Sequence, residues 1–238
     1  PPVKKSFWQK LNNAPEISTN CFLTKGDTLF AGTVSGLHYS IDSGFTWRIL
    51  DLGELSTAPI HALISNAHKI FLGSGIRKGL YYSSDNGLNW NLTNNGLPNS
   101  APIRFFEKDN LLFVGLADSG VYVSADTGFT WLATDSIIAG AMVRDFTKSN
   151  HNIFVATLFD GVFVSSDNGE HWVSSMNGIT NYLCQCIFAK DNTVFLGTRY
   201  GGFRSSDGGQ TWSDSFSGLP SENIWDLIGK DNYWFAGS

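Results

Sequence analysis

Five aspartates recur at a nearly constant distance along the chain, each within the pattern Ser-x-Asp-x-Gly-x-x-Trp. The repeated residues are Asp42, Asp85, Asp126, Asp167 and Asp207, with Trp47, Trp90, Trp131, Trp172 and Trp212. A carboxylate can bind a metal ion or transfer a proton in catalysis. However, an Asp two residues before a Gly is also typical of a tight turn, in which the carboxylate accepts backbone N–H groups. Five equal sites cannot all be one active site, so we interpret the motif residues as structural.

The spacing of these aspartates predicts the fold. Successive copies lie 40 to 43 residues apart. Each repeat contains four short segments rich in β-forming residues and bounded by turn residues, and no stretch shows sustained helical periodicity. Four antiparallel strands in roughly 41 residues are typical of one blade of a β-propeller. We therefore predict an all-β propeller that forms a single domain over residues 1–238, with the motif turns between the third and fourth strands.

The two ends of the chain are predicted to share the sixth blade. The five complete blades are expected at about 14–55, 56–97, 98–138, 139–178 and 179–219. Residues 220–238 carry a first and a second strand, and residues 7–13 resemble an outermost strand, so residues 220–238 and 1–13 are predicted to form the sixth blade. The third strand of that blade is missing from the sequence. The alternative is a fragment of a seven-bladed or larger propeller.

A phenylalanine recurs in the second strand of every repeat, followed two residues later by Gly or Ala. The six copies are Phe30, Phe71, Phe113, Phe154, Phe195 and Phe235. A large ring beside a minimal side chain fits a tapering core in which neighbouring blades approach closely. We expect these rings to pack the blades against one another.

The motif Ser-x-Asp-x-Gly-x-Thr-Trp resembles the Asp-box, or bacterial neuraminidase repeat. It is similar to repeats in sialidases, Asp-box glycoside hydrolases, the sortilin luminal domain and the propellers of photosystem II assembly factors. The resemblance covers essentially the whole chain and implies a β-propeller. It also implies a bacterial protein that is secreted, periplasmic or on the cell surface. Because those families share no single activity, the function has to be argued from the site.

A sialidase-like site implied by the resemblance is only partly represented. Such a site needs three arginines, a Tyr nucleophile with a Glu partner, and an acidic residue. The sequence offers Arg104, Arg144 and Arg199, with Tyr200 or Tyr182 and Asp145 or Asp226, as a partial set. The early Arg-Ile-Pro motif of the family is absent, and Glu107 is the sole Glu on an inner strand. Catalysis is therefore the less favoured interpretation.

Variable residues on the innermost strands predict a binding surface at the mouth of the central channel. One column is predicted to line the mouth: Asn20, His61, Arg104, Arg144, Gln185 and Trp225. A second column is predicted to pack below it: Phe22, Leu63, Phe106, Phe146, Ile187 and Leu227. Loops that vary on a repetitive scaffold are typical of binding sites, and Tyr200 lies in such a loop. A channel that holds only water is the other interpretation of this pattern.

These patterns favour a non-catalytic binding or assembly propeller. We predict that it recognises a protein partner or a glycan through His61, Arg104, Arg144, Gln185, Tyr200 and Trp225. The alternative is a glycoside hydrolase or sialidase-like enzyme with an arginine-lined site at the channel mouth.

Composition excludes several other classes of function. Only 16% of the residues are charged and the net charge is -5, without a basic stripe, which argues against nucleic-acid binding. No apolar run approaches the roughly 18 residues of a membrane helix. The three cysteines lack metal-ligand spacing and are expected to be buried free thiols. We predict no metal and no cofactor.

Overall fold

The computed structural model describes residues 18–238 except 67, 76–78, 218–220 and 231–232. The described residues form six antiparallel sheets, five of four strands and one of two. Their only helical segments are two short 3-10 turns, Gly53–Leu55 and Ser136–Ile138, and no described helix is long and apolar enough to cross a membrane. This confirms the predicted all-β propeller of six blades. The outer strand predicted at residues 7–13 lies outside the described residues.

Each of the first five blades has three longer strands and a two-residue outer strand. Blade 1 contains β1 Thr19–Lys25, β2 Thr28–Thr33, β3 Gly36–Ser40 and β4 Arg48–Ile49. Blade 2 contains β5 Ile60–Ser65, β6 Ile70–Ser74, β7 Gly79–Ser83 and β8 Asn91–Leu92. Blade 3 contains β9 Pro102–Lys108, β10 Leu111–Leu116, β11 Val121–Ser124 and β12 Leu132–Ala133.

The remaining blades continue this order. Blade 4 contains β13 Val143–Ser149, β14 Asn152–Thr157, β15 Gly161–Ser165 and β16 Val173–Ser174. Blade 5 contains β17 Cys184–Lys190, β18 Thr193–Thr198, β19 Gly201–Ser205 and β20 Ser213–Asp214. The described part of blade 6 contains β21 Asp226–Lys230 and β22 Tyr233–Gly237. Within each blade, each strand pairs with its neighbours along the chain, as short hairpin connections require.

The core consists of layers between neighbouring blades. The recurring phenylalanine of the second strand is buried in blades 1 to 4, with at most 2% of its surface exposed. The motif turn of the following blade covers each of these rings, as Gly128 covers Phe71. The backbone N–H of Trp131 also donates to the carbonyl of Asn95 in the preceding blade, at 2.9 Å. The motif turns therefore join blades as well as strands.

Each innermost strand of blades 1 to 5 has a register shift near the channel mouth. The shift leaves one residue of each strand without a partner on the second strand: Asn20, His61, Ile103, Arg144 and Gln185. Such a shift is a β-bulge, and bulges commonly redirect side chains at functional sites.

The register corrects the predicted columns in blade 3. Ile103 occupies the bulge position, whereas Arg104 lies opposite Gly115, in the position that Asp145 holds in blade 4. The prediction that Arg104 shares a column with Arg144 is therefore wrong by one residue. In the second column the blade 3 member is wrong by the same one residue. Phe105, and not the predicted Phe106, is the residue equivalent to Phe146. In every blade the recurring phenylalanine pairs with the residue seven positions before it, as Phe113 pairs with Phe106 and Phe154 with Thr147, and this constant separation fixes the register.

The second column is buried in part of the ring only. Ile187 and Phe146 are 3% and 8% exposed, as expected for side chains packed below the mouth. Phe22 of blade 1 is 69% exposed, so the prediction that it packs in the same way is wrong. The adjoining strand on the other side of β1 is β21 of blade 6, and among the described residues it leaves this ring exposed.

Candidate functional site

The channel mouth is a cavity of about 580 Å³ to which all six blades contribute. Its lining residues are Thr19, Asn20, His61, Ile103, Arg104, Arg144, Gln185, Trp225 and Asp226. We call this cavity the channel-mouth site. It brings together five of the six predicted binding residues. The sixth, Tyr200, lies between β18 and β19 with an exposed ring and does not line the cavity.

Two guanidinium groups from neighbouring blades face this cavity. Arg144 Nη2 donates to Gln185 Oε1 over a long 3.5 Å, and Arg144 Nε is buried without a partner among the described residues. Arg104 Nε lies 3.8 Å from Asp145 Oδ1, and 41% of its side chain is exposed. Burial and then the charge of Arg104 lower the pKa of Arg144. The site therefore holds positive charge and hydrogen-bond donors that its own residues satisfy only in part.

Asp145 is the acidic group closest to the two arginines. Burial raises its pKa to about 6, even though the N–H of Ile187 and the charge of Arg104 oppose the shift. The Ile187 N–H donates to Asp145 Oδ2 at 3.0 Å. Asp226 also lines the cavity and adds to the raised pKa of Asp145. The predicted channel-lining column did not contain Asp145. That column holds the bulge residue Arg144, and Asp145 is the next residue along the strand.

A polar network connects the site across blades. Gln185 is buried, and its amide donates to Asn223 Oδ1 in the loop that precedes β21. Asn20 Nδ2 donates to the carbonyl of Ile60 at 3.0 Å. Burial and then the charge of Arg104 lower the pKa of His61, which favours the neutral ring at pH 7. The hydrogen bonds hold the amide groups of Asn20 and Gln185 in place beside the two arginines.

One exposed aromatic side chain lines the mouth, and three others lie in nearby loops along the chain. Trp225 lines the cavity with half of its surface exposed. Phe159, Tyr182 and Tyr200 are likewise exposed, on segments that border the innermost or second strands of blades 4 and 5. Such rings offer flat apolar faces that can pack on a partner side chain or a sugar.

The motif turns lie between the third and fourth strands, and their carboxylates are bound within the turn. In blade 3, Ser124 Oγ and the Thr130 N–H donate to Asp126 Oδ1 at 2.7 and 2.9 Å. Thr130 Oγ1 donates to Asp126 Oδ2 at 2.5 Å. Where Thr is replaced, Asn89 Nδ2 and His171 Nδ1 lie 2.8 and 2.7 Å from the corresponding carboxylate oxygen. The carboxylates therefore hold the turn through the same set of bonds.

These bonds lower the pKa of every motif aspartate to about 2. For Asp42 the largest cause is the Thr46 hydroxyl, followed by the Thr46 N–H. For Asp85 it is the Asn89 N–H, followed by the Asn89 side chain. A carboxyl group with such a pKa is fully ionised near pH 7 and is a poor proton donor.

One group of potential metal ligands forms at a motif turn. Donor atoms of Asp167, Glu170 and His171 lie within 4.8 Å of one another, and all three side chains are exposed. His171 Nδ1 already contacts Asp167 in the way that Thr130 contacts Asp126 in blade 3. The cluster is thus explained by the turn itself.

The three cysteines are free thiols. Cys184 and Cys186 are buried, as predicted, whereas Cys21 is partly exposed. Burial raises the pKa of Cys184 and of Cys21 to about 12. A thiol with such a pKa stays protonated near pH 7 and is a weak nucleophile.

Comparisons with known proteins show the fold. The sequence matches no protein-family model and none of the curated proteins. Among solved structures, the chain is similar to the extracellular domain of BT3049 from B. thetaiotaomicron, with a TM-score of 0.77 and 15% identity. The match covers 96% of this chain and 32% of the BT3049 chain. The chain is also similar to YCF48 bound to a D1 peptide, with a TM-score of 0.71, 13% identity, and coverage of 96% and 78%.

A third solved structure is an enzyme. The GH74 enzyme of Niastella koreensis has a TM-score of 0.64 and 18% identity, with coverage of 79% of this chain and 36% of that one. The chain thus spans about a third of the GH74 and BT3049 chains. At these identities the likeness establishes a propeller and leaves the activity to be argued from the site.

Proposed function

We propose that the protein is a non-catalytic binding or assembly propeller whose channel-mouth site recognises a carboxylate of a protein partner. The observation that carries this proposal is the pair of guanidinium groups, Arg104 and Arg144, in one cavity with donors left unpaired. A planar guanidinium matches a carboxylate with two parallel hydrogen bonds, which is stronger and more specific than a single contact.

The charge balance of the site supports an anionic ligand. Asp145 is the carboxylate next to Arg104, and its pKa of about 6 means that it can be neutralised by a proton at mildly acidic pH. A ligand carboxylate can take its place beside Arg104 and also reach Arg144. Positive charge enclosed in a cavity attracts an anion more strongly than the same charge on an open surface.

The aromatic rings around the mouth support a protein partner. Trp225 lies in the cavity, and Tyr182, Tyr200 and Phe159 are exposed in loops of blades 4 and 5. Trp, Tyr and Arg are the residue types that contribute most of the binding energy in protein interfaces. YCF48, a propeller of which the chain covers 78%, is seen bound to a peptide. A glycan that carries a carboxylate, stacked on the same rings, is the other ligand that this surface fits.

A peptide library displayed on phage, with free C-terminal carboxylates and with acidic side chains, tests the proposal. Peptides selected by the wild type should bind the Arg104→Gln/Arg144→Gln variant at least about tenfold more weakly, since two charge-assisted bonds are lost. Arg48→Gln is the matched control, because Arg48 lies on the outer strand β4. Equal binding by all three proteins would contradict the proposal. A glycan array on the same proteins shows whether a sugar is the ligand instead.

We propose further that the five motif turns are Asp-boxes with a structural role, and that the protein acts outside the cytoplasm, secreted, periplasmic or on the cell surface. The shared hydrogen bonds of the five turns support the first point. The likeness to an extracellular domain supports the second. Fractionation of cells that express the native protein tests the location, and recovery in the cytoplasm alone would contradict it.

A glycoside hydrolase is the second candidate, and one observation favours it. Asp145, with a pKa of about 6, and Asp226 share one cavity, and two carboxyl groups in unlike environments are the general acid and base of such enzymes. Against it, no Tyr or Glu lines the cavity among the described residues. Hydrolysis of a glycoside panel that is abolished in Asp145→Asn would establish the enzyme, and no turnover would leave the binding role.

A further inference from the structure

One position of each innermost strand contributes to a ring of side chains near the channel mouth. This position lies opposite the Gly or Ala that follows the recurring phenylalanine by two residues. Its six members are Cys21, Ala62, Arg104, Asp145, Cys186 and Asp226. We call this set the inner ring. Only Arg104, Asp145 and Asp226 can be charged near pH 7, since burial raises the pKa of both thiols.

Two of the three charged members belong to adjacent blades, and the third stands alone. Arg104 of blade 3 lies 3.8 Å from Asp145 of blade 4, measured from Nε to Oδ1. Asp226 belongs to blade 6, and the ring members of blades 5 and 1 are the uncharged Cys186 and Cys21. Among the described residues no cation forms an ion pair with Asp226. Its negative charge is therefore not neutralised within the ring.

Asp226 lines the channel-mouth site beside an aromatic ring. Its side chain is exposed, and Oδ1 accepts the N–H of Leu227 at 2.9 Å. The carboxylate accepts no other hydrogen bond from the described residues. Trp225, the preceding residue, lines the same cavity with 51% of its surface exposed. A free carboxylate beside an exposed indole ring is an arrangement that binds ammonium and guanidinium groups.

The positive and negative groups of the cavity come from different sides of the channel. Blades 3 and 6 are opposite each other in a ring of six, so Arg104 and Asp226 face the channel from opposite sides. Arg144 is on blade 4, next to Arg104. Burial, and then the charges of Asp145 and Asp226, raise the pKa of the Cys186 thiol, as expected if the charge of Asp226 is exerted near blade 5. The cavity thus has a cationic side and an anionic side.

We propose that Asp226 and Trp225 bind a Lys or Arg side chain located in the last two residues of the partner, next to the carboxylate that Arg104 and Arg144 bind. This inference rests on the proposed function, since the carboxylate places the end of the partner in the cavity. The carboxylate lies on the side of blades 3 and 4, and the basic side chain extends toward blade 6. Its aliphatic stem packs on Trp225 while its charged end reaches Asp226.

The charge balance of the cavity favours a ligand that carries both signs. The guanidinium groups of Arg104 and Arg144 are matched by the carboxylates of Asp145 and Asp226. A ligand with one carboxylate and one cation preserves this balance. A second acidic group beside the ligand carboxylate would instead be repelled by Asp226. Asp226 therefore determines specificity in two ways, because it favours basic residues and disfavours acidic ones at the end of the partner.

The test compares the peptides that wild type, Asp226→Asn and Asp160→Asn select from a random library with free C-terminal carboxylates. We expect Lys and Arg to be enriched at least about fivefold at the last two positions with wild type and Asp160→Asn. Asp226→Asn should give no such enrichment, since the amide carries no charge. Asp160 is the matched control, because it is an exposed aspartate between β14 and β15 that does not line the cavity.

The affinity of one selected peptide measures the contact directly. Replacement of its Lys by norleucine keeps the aliphatic stem and removes the charge. This change should raise Kd at least about fivefold in wild type and leave it the same in Asp226→Asn. Trp225→Leu should reduce the preference for Lys, because the ammonium group loses its contact with the ring.

The outcomes separate this inference from the proposed function. Wild type that prefers a free carboxylate but shows no preference for Lys or Arg would overturn the inference and leave the proposed function standing. A preference for Lys of the same size in Asp226→Asn would overturn the assignment to Asp226. No preference for a free carboxylate over an amide in wild type would contradict the proposed function and this inference together.

Discussion

At the scale of single residues, the same chemical group has two different roles in this molecule. The motif aspartates lie at the surface, half-buried in four of the five turns, accept hydrogen bonds within the turn and have a lowered pKa. Asp145 is shielded beside an arginine and has a raised pKa. The difference follows from burial and from the number of donors that reach each carboxylate. The motif aspartates therefore belong to the scaffold, and Asp145 belongs to the site.

Removal of a motif carboxylate should destabilise the protein without affecting binding at the channel mouth. Asp126→Ala loses the bonds from Ser124 and Thr130, and we expect a loss of about 1–3 kcal/mol in the free energy of unfolding. Trp131→Ala should lose about 3–5 kcal/mol, because the ring is fully buried. Urea denaturation measures both. An unchanged midpoint with weakened ligand binding would contradict the structural role.

Asp145→Asn should change the dependence of stability on pH between about 4 and 6. The pKa of Asp145 is about 6 in the folded protein and near 3.8 when unfolded, so the folded state holds a proton that the unfolded state has released in this range. The free energy of unfolding contributed by this group therefore falls as pH rises from 4 to 6. The Asn variant should show a flatter Tm profile there. Identical profiles of the two proteins would contradict the shifted pKa.

At the scale of elements, the motif turn is a contact between blades. Gly128→Ala and Gly140→Ala both place a Cβ at a positive φ, of 84° and 82°. At Gly128 the Cβ would meet the ring of Phe71, whereas at Gly140 no atom lies within 4 Å. We therefore expect Gly128→Ala to be more destabilising by about 1 kcal/mol or more, in the range for an overpacked core. Chemical denaturation of the two variants compares them, and equal losses would contradict the contact.

The repeated elements could be predicted from the sequence. Local departures from the repeat could not. The turn spacing and the recurring phenylalanines predicted the blades, because each repeat satisfies the same packing and hydrogen-bond needs. The predicted column was wrong by one residue in blade 3. Arg104 is polar, like most other members of the column, but its pairing with the second strand is fixed by the position of Phe113. The residue before each motif glycine also takes a positive φ, 59° at Thr127, which the residue type does not reveal.

The candidate site was predictable only in part. Counting along the innermost strands identified Asn20, His61, Arg144, Gln185 and Trp225, all of which line the cavity. The first four of these are the bulge residues of their strands. The proximity of Arg104 to Asp145 and the bond from Gln185 to Asn223 depend on how adjacent blades are placed. That placement is a property of packing between repeats, which the sequence of one repeat does not contain.

At the scale of the whole molecule, five copies of one turn should give the propeller a common acid sensitivity. Each motif aspartate has a folded pKa of about 2, below the value near 3.8 of an unfolded carboxyl group. The stability that they contribute is present above pH 4 and is lost as pH falls toward 2. We expect Tm to decrease steeply over that range.

Variants identify the groups responsible for this acid sensitivity. Asp126→Ala should reduce the slope of Tm against pH between 4 and 2. Asp27→Ala is the control, because Asp27 is an exposed aspartate of the β1–β2 hairpin. Equal slopes for wild type and both variants would show that other carboxyl groups cause the acid unfolding.

We propose that the two arginines of the channel-mouth site bind a ligand carboxylate. The most direct measurement is the ratio of the Kd values of one selected peptide with a free C-terminal carboxylate and with an amide, in wild type and in Arg104→Gln/Arg144→Gln. We expect a ratio of about tenfold or more in favour of the free carboxylate in the wild type, and a ratio near one in the variant. A ratio that is the same in both proteins would contradict the proposal.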